Sequence, residues 1–354
     1  MSKELQIIST WGKPCGVAHY TYNLISNFPK DYLFHISTEH GSPERDLLSG
    51  KKLTHRHVIH DIWRRPHMKE FTSDIPSIIE HEYGFSDVPS LVSILKSLKE
   101  KPILTMHTLP FDKPQLEFIG KKSKLVTIMC EQFSFCSMNG VESTLIPHGI
   151  PEYKFTNSDR EAAREENGIK PDDIVICLHG FLNPEKGIET AVGAIHYVKR
   201  KIPRVRFLLV GGLHPLAPRT FKTHSYFRGI LKALPEGSIL KLGIYTSRII
   251  DKLLLTSDIF LLPLDDSRMF LSPSGTACKE MGFGRPIIKS KSYRAGFVPG
   301  DSYILHPREF SEAIIQLIRD DKKYNSLCEE TKRYALENSW GNSAARHLEV
   351  VNNA

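Results

Sequence analysis

The sequence lacks the features that mark several large classes of protein. No apolar run approaches the roughly 20 residues needed to span a bilayer. The first residues, MSKELQIISTWG, predict a short strand that runs into a glycine turn instead of a signal peptide. The six cysteines are scattered and form no Cys-x-x-Cys pair. We therefore expect a reduced, cytoplasmic protein with buried thiols and neither disulfides nor a zinc site.

The charge distribution also excludes a class of partner. The net charge is +7, from 47 Lys and Arg against 40 Asp and Glu. Residues 1–150 contain 17 basic and 16 acidic residues, which leaves 30 and 24 for the rest of the chain. No dense basic stripe of the kind that binds nucleic acid is present. A mildly basic second half suits a compact polyanion such as a nucleoside diphosphate.

The length and the apolar pattern predict two domains. At 354 residues the chain exceeds one ordinary domain. Strand-length apolar runs alternate with amphipathic segments, as in parallel sheets that are covered by helices on both faces. The pattern restarts after the Pro- and Gly-containing run 145–151, where we place the boundary. The predicted strands are Leu5–Ser9, Tyr32–Ser37, Ser77–Glu82, Ile103–His107, Leu125–Met129, Ile174–His179, Val205–Val210, Ser238–Leu242, Ile259–Leu262 and Pro286–Lys289. The clearest predicted helices are Val17–Phe28, Val88–Lys99, Gly187–Lys201 and Ser247–Thr256.

The segment 261–288 contains the most informative motif. It is an apolar strand, a turn ending in Ser274-Gly275-Thr276, a short helix with Glu280, and a second strand. Small residues at a helix start expose backbone N–H groups to a phosphate, and a carboxylate one turn later can accept hydrogen bonds from sugar hydroxyls. The pattern indicates a nucleotide-sugar site. The alternative is a capped core helix with a surface glutamate.

Two other strand-to-helix turns have related features. Gly12 and Gly16 lie four residues apart after the first strand, so the turn is not the Gly-x-Gly-x-x-Gly of dinucleotide-binding oxidoreductases. Gly180 follows the strand Ile174–His179, and Lys186 comes just before the next helix. A lysine there can neutralise a phosphate as a point charge. It can equally be a solvated lysine in a Pro-Glu-Lys-Gly turn.

Polar residues at strand ends of the first domain are candidates for substrate contact. His107 follows an apolar strand, and Glu82 ends the strand before it, so both belong to the carboxyl edge of the sheet. A lone histidine in this position is also compatible with a purely structural hydrogen bond.

We predict no metal site. The histidines at positions 55, 57, 60 and 67 have basic neighbours, which disfavour a cation, and we interpret this stretch as a solvated loop or acceptor-side surface. Asp265 and Asp266 follow a strand, where adjacent aspartates usually form a turn.

Taken together and in order, these segments resemble the family 4 (group 1) retaining glycosyltransferases, and within them a subgroup with HEYG, TMHT and SSGT-like motifs. The resemblance extends over nearly the whole chain. The segments that carry it are Trp11 to Tyr22, Glu80–Gly84, Thr105–Thr108, Pro147-His148-Gly149, Gly180–Gly187, Ser272–Ile288 and Ser339–His347.

The resemblance implies a GT-B fold: α/β, with two Rossmann-like doubly wound parallel-sheet domains facing a central cleft. It implies an acceptor-side domain 1–149, a nucleotide-sugar domain 150–330, and a C-terminal helix 331–354 that crosses back to the first domain. It assigns catalytic roles to His107, Lys186 and Glu280. Donor binding is assigned to Gly12, Gly16, Gly180, Lys186, Ser274, Gly275, Thr276 and Glu280, and the acceptor side to Glu82, Tyr83 and His19.

Two positions depart from the family pattern. Ser272 stands where the first glutamate of the family's Glu-x7-Glu motif is expected, eight residues before Glu280. Phe181 stands where a phosphate-binding arginine is common, five residues before Lys186. We hypothesise that backbone amides compensate for both changes.

The implied activity is transfer of a hexose from a nucleoside-diphosphate sugar to an acceptor hydroxyl with retention of configuration. The donor is a UDP-, GDP- or ADP-sugar, and the acceptor is a glycan, a lipid-linked group or a protein. We expect no metal and no cofactor besides this co-substrate, and peripheral contact with the inner membrane face remains open. The alternatives are a sugar-nucleotide-binding protein without catalysis and a GT-B-like sugar-nucleotide epimerase.

Overall fold

The protein forms two compact units in a computed structural model. One unit comprises Met1–Gly149, Phe270–Pro273 and Asn338–Ala354, and the other comprises Ile150–Met269 and Ser274–Glu337. The structure describes residues 3–12, 15–38, 56–61, 75–82, 88–110, 112–213, 221–266 and 272–352.

The described part of the first unit contains a seven-stranded parallel sheet. Its order, β3-β2-β1-β4-β5-β6-β7, reverses between β1 and β4, as in doubly wound dinucleotide-binding folds. Strands β1 and β4 run in parallel, with Ile8 opposite Ile79. The strands are β1 (Lys3–Ile8), β2 (Tyr32–Thr38), β3 (Arg56–Asp61), β4 (Ser77–His81), β5 (Ile103–Met106), β6 (Lys124–Thr127) and β7 (Thr144–Leu145).

Helices of the first unit follow the strands in alternation. They are α1 (Gly16–Ser26), α2 (Val88–Ser97), α3 (Lys113–Lys122) and α4 (Cys130–Met138). Helix α1 begins where the Cys15 side chain accepts a hydrogen bond from Ala18 N, which satisfies one of the unpaired N–H groups of its first turn. Its Leu24 and Ile25 are buried in the core of the sheet.

The described part of the second unit contains a six-stranded parallel sheet with the same topology. Its order is β10-β9-β8-β11-β12-β13, and it reverses between β8 and β11. The strands are β8 (Ile174–His179), β9 (Val205–Gly211), β10 (Ile239–Leu242), β11 (Ile259–Leu262), β12 (Ile287–Ser290) and β13 (Ser302–Tyr303). The β11 strand is buried throughout, as expected for a central strand covered on both faces.

Seven helices of the described second unit pack around this sheet. They are α5 (Asn157–Glu166), α6 (Ile188–Lys201), α7 (Phe221–Ala233), α8 (Ser247–Leu255), α9 (Gly275–Met281), α10 (Pro307–Arg319) and α11 (Asp321–Glu337). Asp258, just before β11, accepts hydrogen bonds from Arg160 and Arg164 of α5 and from Val175 N of β8. This carboxylate therefore joins a helix to the centre of the sheet.

The last helix, α12 (Trp340–Asn352), belongs to the first unit. It presents Trp340, Ala344 and His347, spaced by four and three residues, as a buried face. A Cβ at Gly149 would collide with the Trp340 ring, so a glycine is required where the chain leaves the first unit.

The structure corrects one interpretation of the sequence. The histidine-containing stretch that we expected to be a solvated loop includes a strand, β3, which pairs in parallel with β2 and places Ile59 opposite Ile36. The sequence did not indicate this strand because only two of its residues, Val58 and Ile59, are apolar. They stand next to each other between polar residues, as an edge strand permits, so no alternation of apolar and polar residues is visible. The histidines at positions 55 and 67 lie outside the described residues.

Two further observations concern the cysteines and the helices. All six cysteines lie in the described part of the chain and none forms a disulfide; five are buried and Cys130 is exposed. None of the described helices combines the length and the apolar character required to cross a membrane.

Candidate functional site

The candidate site of the second unit lies where the strand order reverses, at the carboxyl ends of β8 and β11. Ligands of doubly wound sheets bind at such positions. Gly180, directly after β8, has φ of 129°, and Gly211 at the end of β9 has φ of 133°. A Cβ on Gly211 would collide with the carbonyl oxygen of Gly180, so the two backbones touch. Only glycine permits this close approach.

Lys186 extends from a single 3-10 turn, Pro184–Lys186, between β8 and α6. Its Nζ donates a hydrogen bond to Thr276 Oγ1 at 3.1 Å. A Cβ at Gly180 would lie 3.4 Å from Nζ of Lys186 and 3.1 Å from Thr276 Oγ1, so the three residues meet at one point. Burial, then the neighbouring Arg294, lowers the pKa of Lys186 to about 8, and Glu280 opposes this shift. Such a partly desolvated cation interacts strongly with an incoming anion.

Helix α9 begins at Gly275. The Ser274 side chain accepts a hydrogen bond from Ala277 N and thereby caps the helix, so this N–H is already paired. Ser274 is buried, Thr276 is half-buried and Gly275 is exposed. The serine therefore holds the helix start in place, while the lysine–threonine pair provides the donors beside it.

Glu280, on the next turn of α9, is fully buried. Its Oε1 lies 3.4 Å from Nδ1 of His179, the last residue of β8. Its Oε2 is buried and has no hydrogen-bond partner among the described residues. Burial raises the pKa of Glu280 well above its ordinary value, although Lys186 lowers it. A buried carboxyl oxygen without a partner is costly, and a bound hydroxyl donor would satisfy it.

Arg294 brings a second cation to this site. It acts electrostatically on Lys186 and forms an ion pair with Glu185 at 3.9 Å. Its carbonyl oxygen accepts a hydrogen bond from Ser274 N, which ties it to the start of α9. The sequence motif did not identify Arg294, because the residue lies in a later turn, after the second strand of the motif.

In the first unit, the turn between β1 and α1 holds three of the predicted residues. Gly12 is buried and has φ of 64°, a left-handed conformation that favours glycine. Gly16 is the exposed first residue of α1, with nothing within 4 Å of the position of a Cβ. His19 is half-buried, and its backbone N–H donates to Cys15 O.

His107 follows β5 and is buried in the first unit. Its Nε2 lies 3.0 Å from Oε2 of Glu80, and the edge of the Tyr20 ring packs against it with the ring centroids 4.7 Å apart. Glu82 is half-buried and accepts a hydrogen bond of 2.8 Å from Thr108 Oγ1, one residue beyond His107. Tyr83 lies outside the described residues.

Sequence-predicted residues thus meet in one group within the second unit, formed by Gly180, Lys186, Thr276 and Glu280. Sequence reasoning missed His179 and Arg294 there, and Glu80 beside His107. The signal for His179 was its position as the last residue of a central strand at the reversal point. Within the described ranges, no group of three or more His, Cys, Asp or Glu side chains is arranged to hold a metal ion.

Comparisons with known proteins find similar sequences and similar folds. Residues 159–334 match the family model described as glycosyl transferases group 1. A stretch of 67 residues is 36% identical to D-inositol 3-phosphate glycosyltransferase of Segniliparus rotundus. The matched stretch covers 19% of this chain and only 15% of that protein. The chain thus spans a small part of the curated relative that it matches.

Solved structures resemble the chain over nearly its whole length. Anabaena Alr3699/HepE in complex with UDP has a TM-score of 0.75 at 14% identity, covering 99% of this chain and 100% of that one. The same protein in complex with UDP-glucose has a TM-score of 0.73 at 13% identity, with the same coverage. Sucrose-phosphate synthase from Thermosynechococcus elongatus has a TM-score of 0.72 at 14% identity, covering 99% and 98%.

The sheet topology and the structural matches together define the fold. Two units, each with a doubly wound parallel sheet, and a match to glycosyltransferase structures over 99% of the chain give the GT-B fold, which confirms the predicted fold class. Most of the second unit is similar to the glycosyl transferases group 1 family, whose model matches residues 159–334.

Proposed function

We propose that this protein is a nucleotide-sugar-dependent glycosyltransferase that moves a hexose from a UDP-sugar to an acceptor hydroxyl with retention of configuration. The group 1 domain supports transfer from a nucleotide sugar. The observation that carries the proposal is that one site contains both a desolvated cation, Lys186, and a buried carboxyl oxygen of Glu280 that has no hydrogen-bond partner among the described residues. The first suits a diphosphate, and the second suits the hydroxyl groups of a ribose.

The choice of uridine follows from the structural neighbours. A protein with the same fold was solved with UDP and with UDP-glucose. GDP- and ADP-sugars are the alternatives that a binding screen compares directly.

In the proposed mechanism, the two cations of the second unit stabilise the charge that develops on the departing diphosphate. Lys186 is held by Thr276 before a donor binds, so little reorganisation is needed. We propose that Arg294 supplies the positive charge that the family pattern places at the position of Phe181. Compensation by backbone amides, which the sequence analysis predicts for Ser272 and Phe181, is the alternative.

The role of His107 in contacting the donor sugar is a proposal that comes from the resemblance alone. The same holds for the acceptor side, where Glu82 and His19 are the described candidates.

The first test is a thermal-shift screen with UDP-, GDP- and ADP-sugars. A ligand at 100 times its dissociation constant adds about 2.7 kcal/mol of stability. Lys186→Ala and Arg294→Ala are expected to weaken UDP binding at least tenfold each, which corresponds to about 1.4 kcal/mol. Lys199→Ala is the matched control, because Lys199 is a half-buried lysine of the same unit whose Nζ donates to Glu236 O, away from the candidate site. Unchanged UDP affinity in Lys186→Ala would exclude this lysine as the phosphate cation.

The second test identifies the products by NMR after incubation with the donor that binds best and a panel of acceptors. A glycoside with the donor's anomeric configuration, together with free UDP, supports the proposal. An epimerised sugar nucleotide indicates an epimerase, and binding without any product indicates a non-catalytic protein.

A further inference from the structure

Glu80 of β4 is a buried carboxyl group in the first unit that the proposed function does not use. Only 2% of the residue is exposed. Parallel pairing of β4 with β5 places Glu80 opposite Thr105, and His107 follows one residue after β5 ends. Thr105 Oγ1 donates to Glu80 Oε1 at 3.3 Å, and Glu80 Oε2 lies 3.0 Å from Nε2 of His107. Both carboxyl oxygens therefore have a partner.

Burial determines the charge of this pair. It raises the pKa of Glu80 to about 8, against smaller opposing effects of His347 and of the hydrogen bond from Thr105. Burial also lowers the pKa of His107 to about 4, although Glu82 opposes the shift. Between these values both groups are uncharged, so their contact is a hydrogen bond between neutral partners.

The hydrogen bonds then locate each proton. A neutral imidazole nitrogen is a stronger acceptor than a threonine hydroxyl, and the His107 contact of 3.0 Å is shorter than the Thr105 contact of 3.3 Å, so we place the acid proton on Oε2. From there it is donated to Nε2 of His107, which must be the unprotonated ring nitrogen. The ring hydrogen of a neutral histidine is then on Nδ1, which has no hydrogen bond to any described residue.

Other titratable groups surround the pair. His347 of α12 interacts electrostatically with Glu80, and its own Nδ1 bonds to Ser343 O at 2.8 Å. Glu82 acts electrostatically on His107, and His107 in turn acts on the half-buried His148 and on the buried His347. Burial lowers the pKa of His148 to about 4 and also lowers that of His347, so neither ring adds a charge at neutral pH.

We propose that Glu80 is a positioning residue that fixes the tautomer of His107, so that Nδ1 carries the ring proton and remains available to donate to a substrate oxygen. The T-shaped contact between the Tyr20 and His107 rings restrains the plane of the imidazole. The use of His107 in transfer rests on the proposed function, whereas its tautomer does not.

A pH-dependent switch follows from this arrangement. When Glu80 releases its proton to solvent, its carboxylate needs a donor, and Nε2 of His107 is the group in contact with it. The ring proton then resides on Nε2, and Nδ1 changes from a donor to an acceptor. The histidine stays neutral throughout.

The test is NMR of the full-length protein labelled with ¹⁵N-histidine, in which the His107 signals are assigned by their loss in His107→Gln. At about pH 6, between the two pKa values, we expect the Nδ1–H tautomer, and above about pH 8 we expect the Nε2–H tautomer. Glu80→Gln keeps a donor and an acceptor in place, so it should retain the Nδ1–H tautomer but lose the switch. Glu80→Ala should lose the tautomer preference at about pH 6.

The exposed His35–Glu4 pair of the same unit, with Nε2 and Oε2 3.1 Å apart, provides the matched control. Glu4→Gln should leave the His107 spectrum unchanged. An Nε2–H tautomer in the unaltered protein at about pH 6, or a switch that persists in Glu80→Gln, would overturn the inference even if Glu80→Ala does not fold.

Activity gives a separate readout once a donor is known. Glu80→Ala should lower kcat about tenfold, the scale of one lost hydrogen bond, with less than about a twofold change in KM for the donor. In Glu80→Gln the plot of kcat against pH should lack the change near pH 8 that is expected for the unaltered protein. If no sugar is transferred at all, the proposed function fails, but the tautomer result still stands.

Discussion

Replacing Glu80 by glutamine should remove a pH-dependent loss of stability from the first unit. The carboxyl group is buried, and burial raises its pKa from 4.5 to about 8. One pKa unit corresponds to about 1.36 kcal/mol, so the folded protein favours the protonated form of Glu80 by about 5 kcal/mol more than the unfolded chain does. Glutamine has nearly the same shape and cannot ionise.

The direction of the effect follows from where the proton is bound. Between about pH 4.5 and pH 8, the unfolded chain has released the Glu80 proton and the folded chain retains it. The free energy of unfolding therefore falls as the pH rises, and the contribution present below pH 4.5 is lost by about pH 8. In Glu80→Gln this slope is absent. The stability difference between the two proteins should change by about 2 kcal/mol from about pH 6 to about pH 7.5.

Tryptophan fluorescence during urea unfolding is the suitable assay. The two tryptophans among the described residues, Trp11 and Trp340, are buried in the first unit. Glu4→Gln is the control, since Glu4 is an exposed residue of the same sheet with a histidine partner. A stability difference between Glu80→Gln and the unaltered protein that stays constant from about pH 6 to pH 7.5 would refute the reasoning.

Three further predictions, the first with its own control substitution, test the second unit and the proposed catalytic residue. Gly187 has φ of 58°, and a Cβ there would collide with Pro263 O, so Gly187→Ala should destabilise the protein by about 3 kcal/mol in chemical denaturation followed by circular dichroism. Gly229→Ala, in a helix with open space around the position, should be neutral or slightly stabilising, and an equal loss in both variants would contradict the steric argument. Glu280→Gln should weaken UDP binding at least tenfold in calorimetry, because one of its carboxyl oxygens lacks a partner in the free protein; unchanged affinity would remove the residue from the site. His107→Ala should lower kcat roughly 10²-fold in the transfer assay, and a loss of tenfold or less would assign the histidine a structural role.

The fold was predictable from the sequence wherever strands are central and apolar. The runs at 174–179 and 259–262 form strands with the predicted bounds, because parallel strands that are buried on both faces require continuous apolar residues. The strands at 56–61, 144–145 and 302–303 were missed. They are short or lie at or near a sheet edge, where few apolar residues are needed and the period of two is too brief to detect.

The candidate site was predictable only in part. Lys186, Thr276 and Glu280 come from turns and a helix that follow strands, so their sequence positions indicated a common edge of the sheet. Arg294 reaches the same place from a later turn, which no local pattern encodes. Glu80 lies inside a strand, and a glutamate there is indistinguishable by sequence from one that alternates out to solvent.

Each of the two units contains a buried glutamate next to a histidine. The two glutamates differ in how many of their carboxyl oxygens have a hydrogen-bond partner, and this difference indicates a different role for each. Glu80 has a partner for both carboxyl oxygens, Thr105 and His107, so nothing is left for a ligand and its effect must pass through the histidine. Glu280 has His179 at a longer 3.4 Å on one oxygen and no partner for the other among the described residues. A folded chain accepts the cost of an unpaired buried oxygen most readily where a ligand relieves it. We therefore propose that the same residue type acts as a support in the first sheet and as a ligand contact in the second.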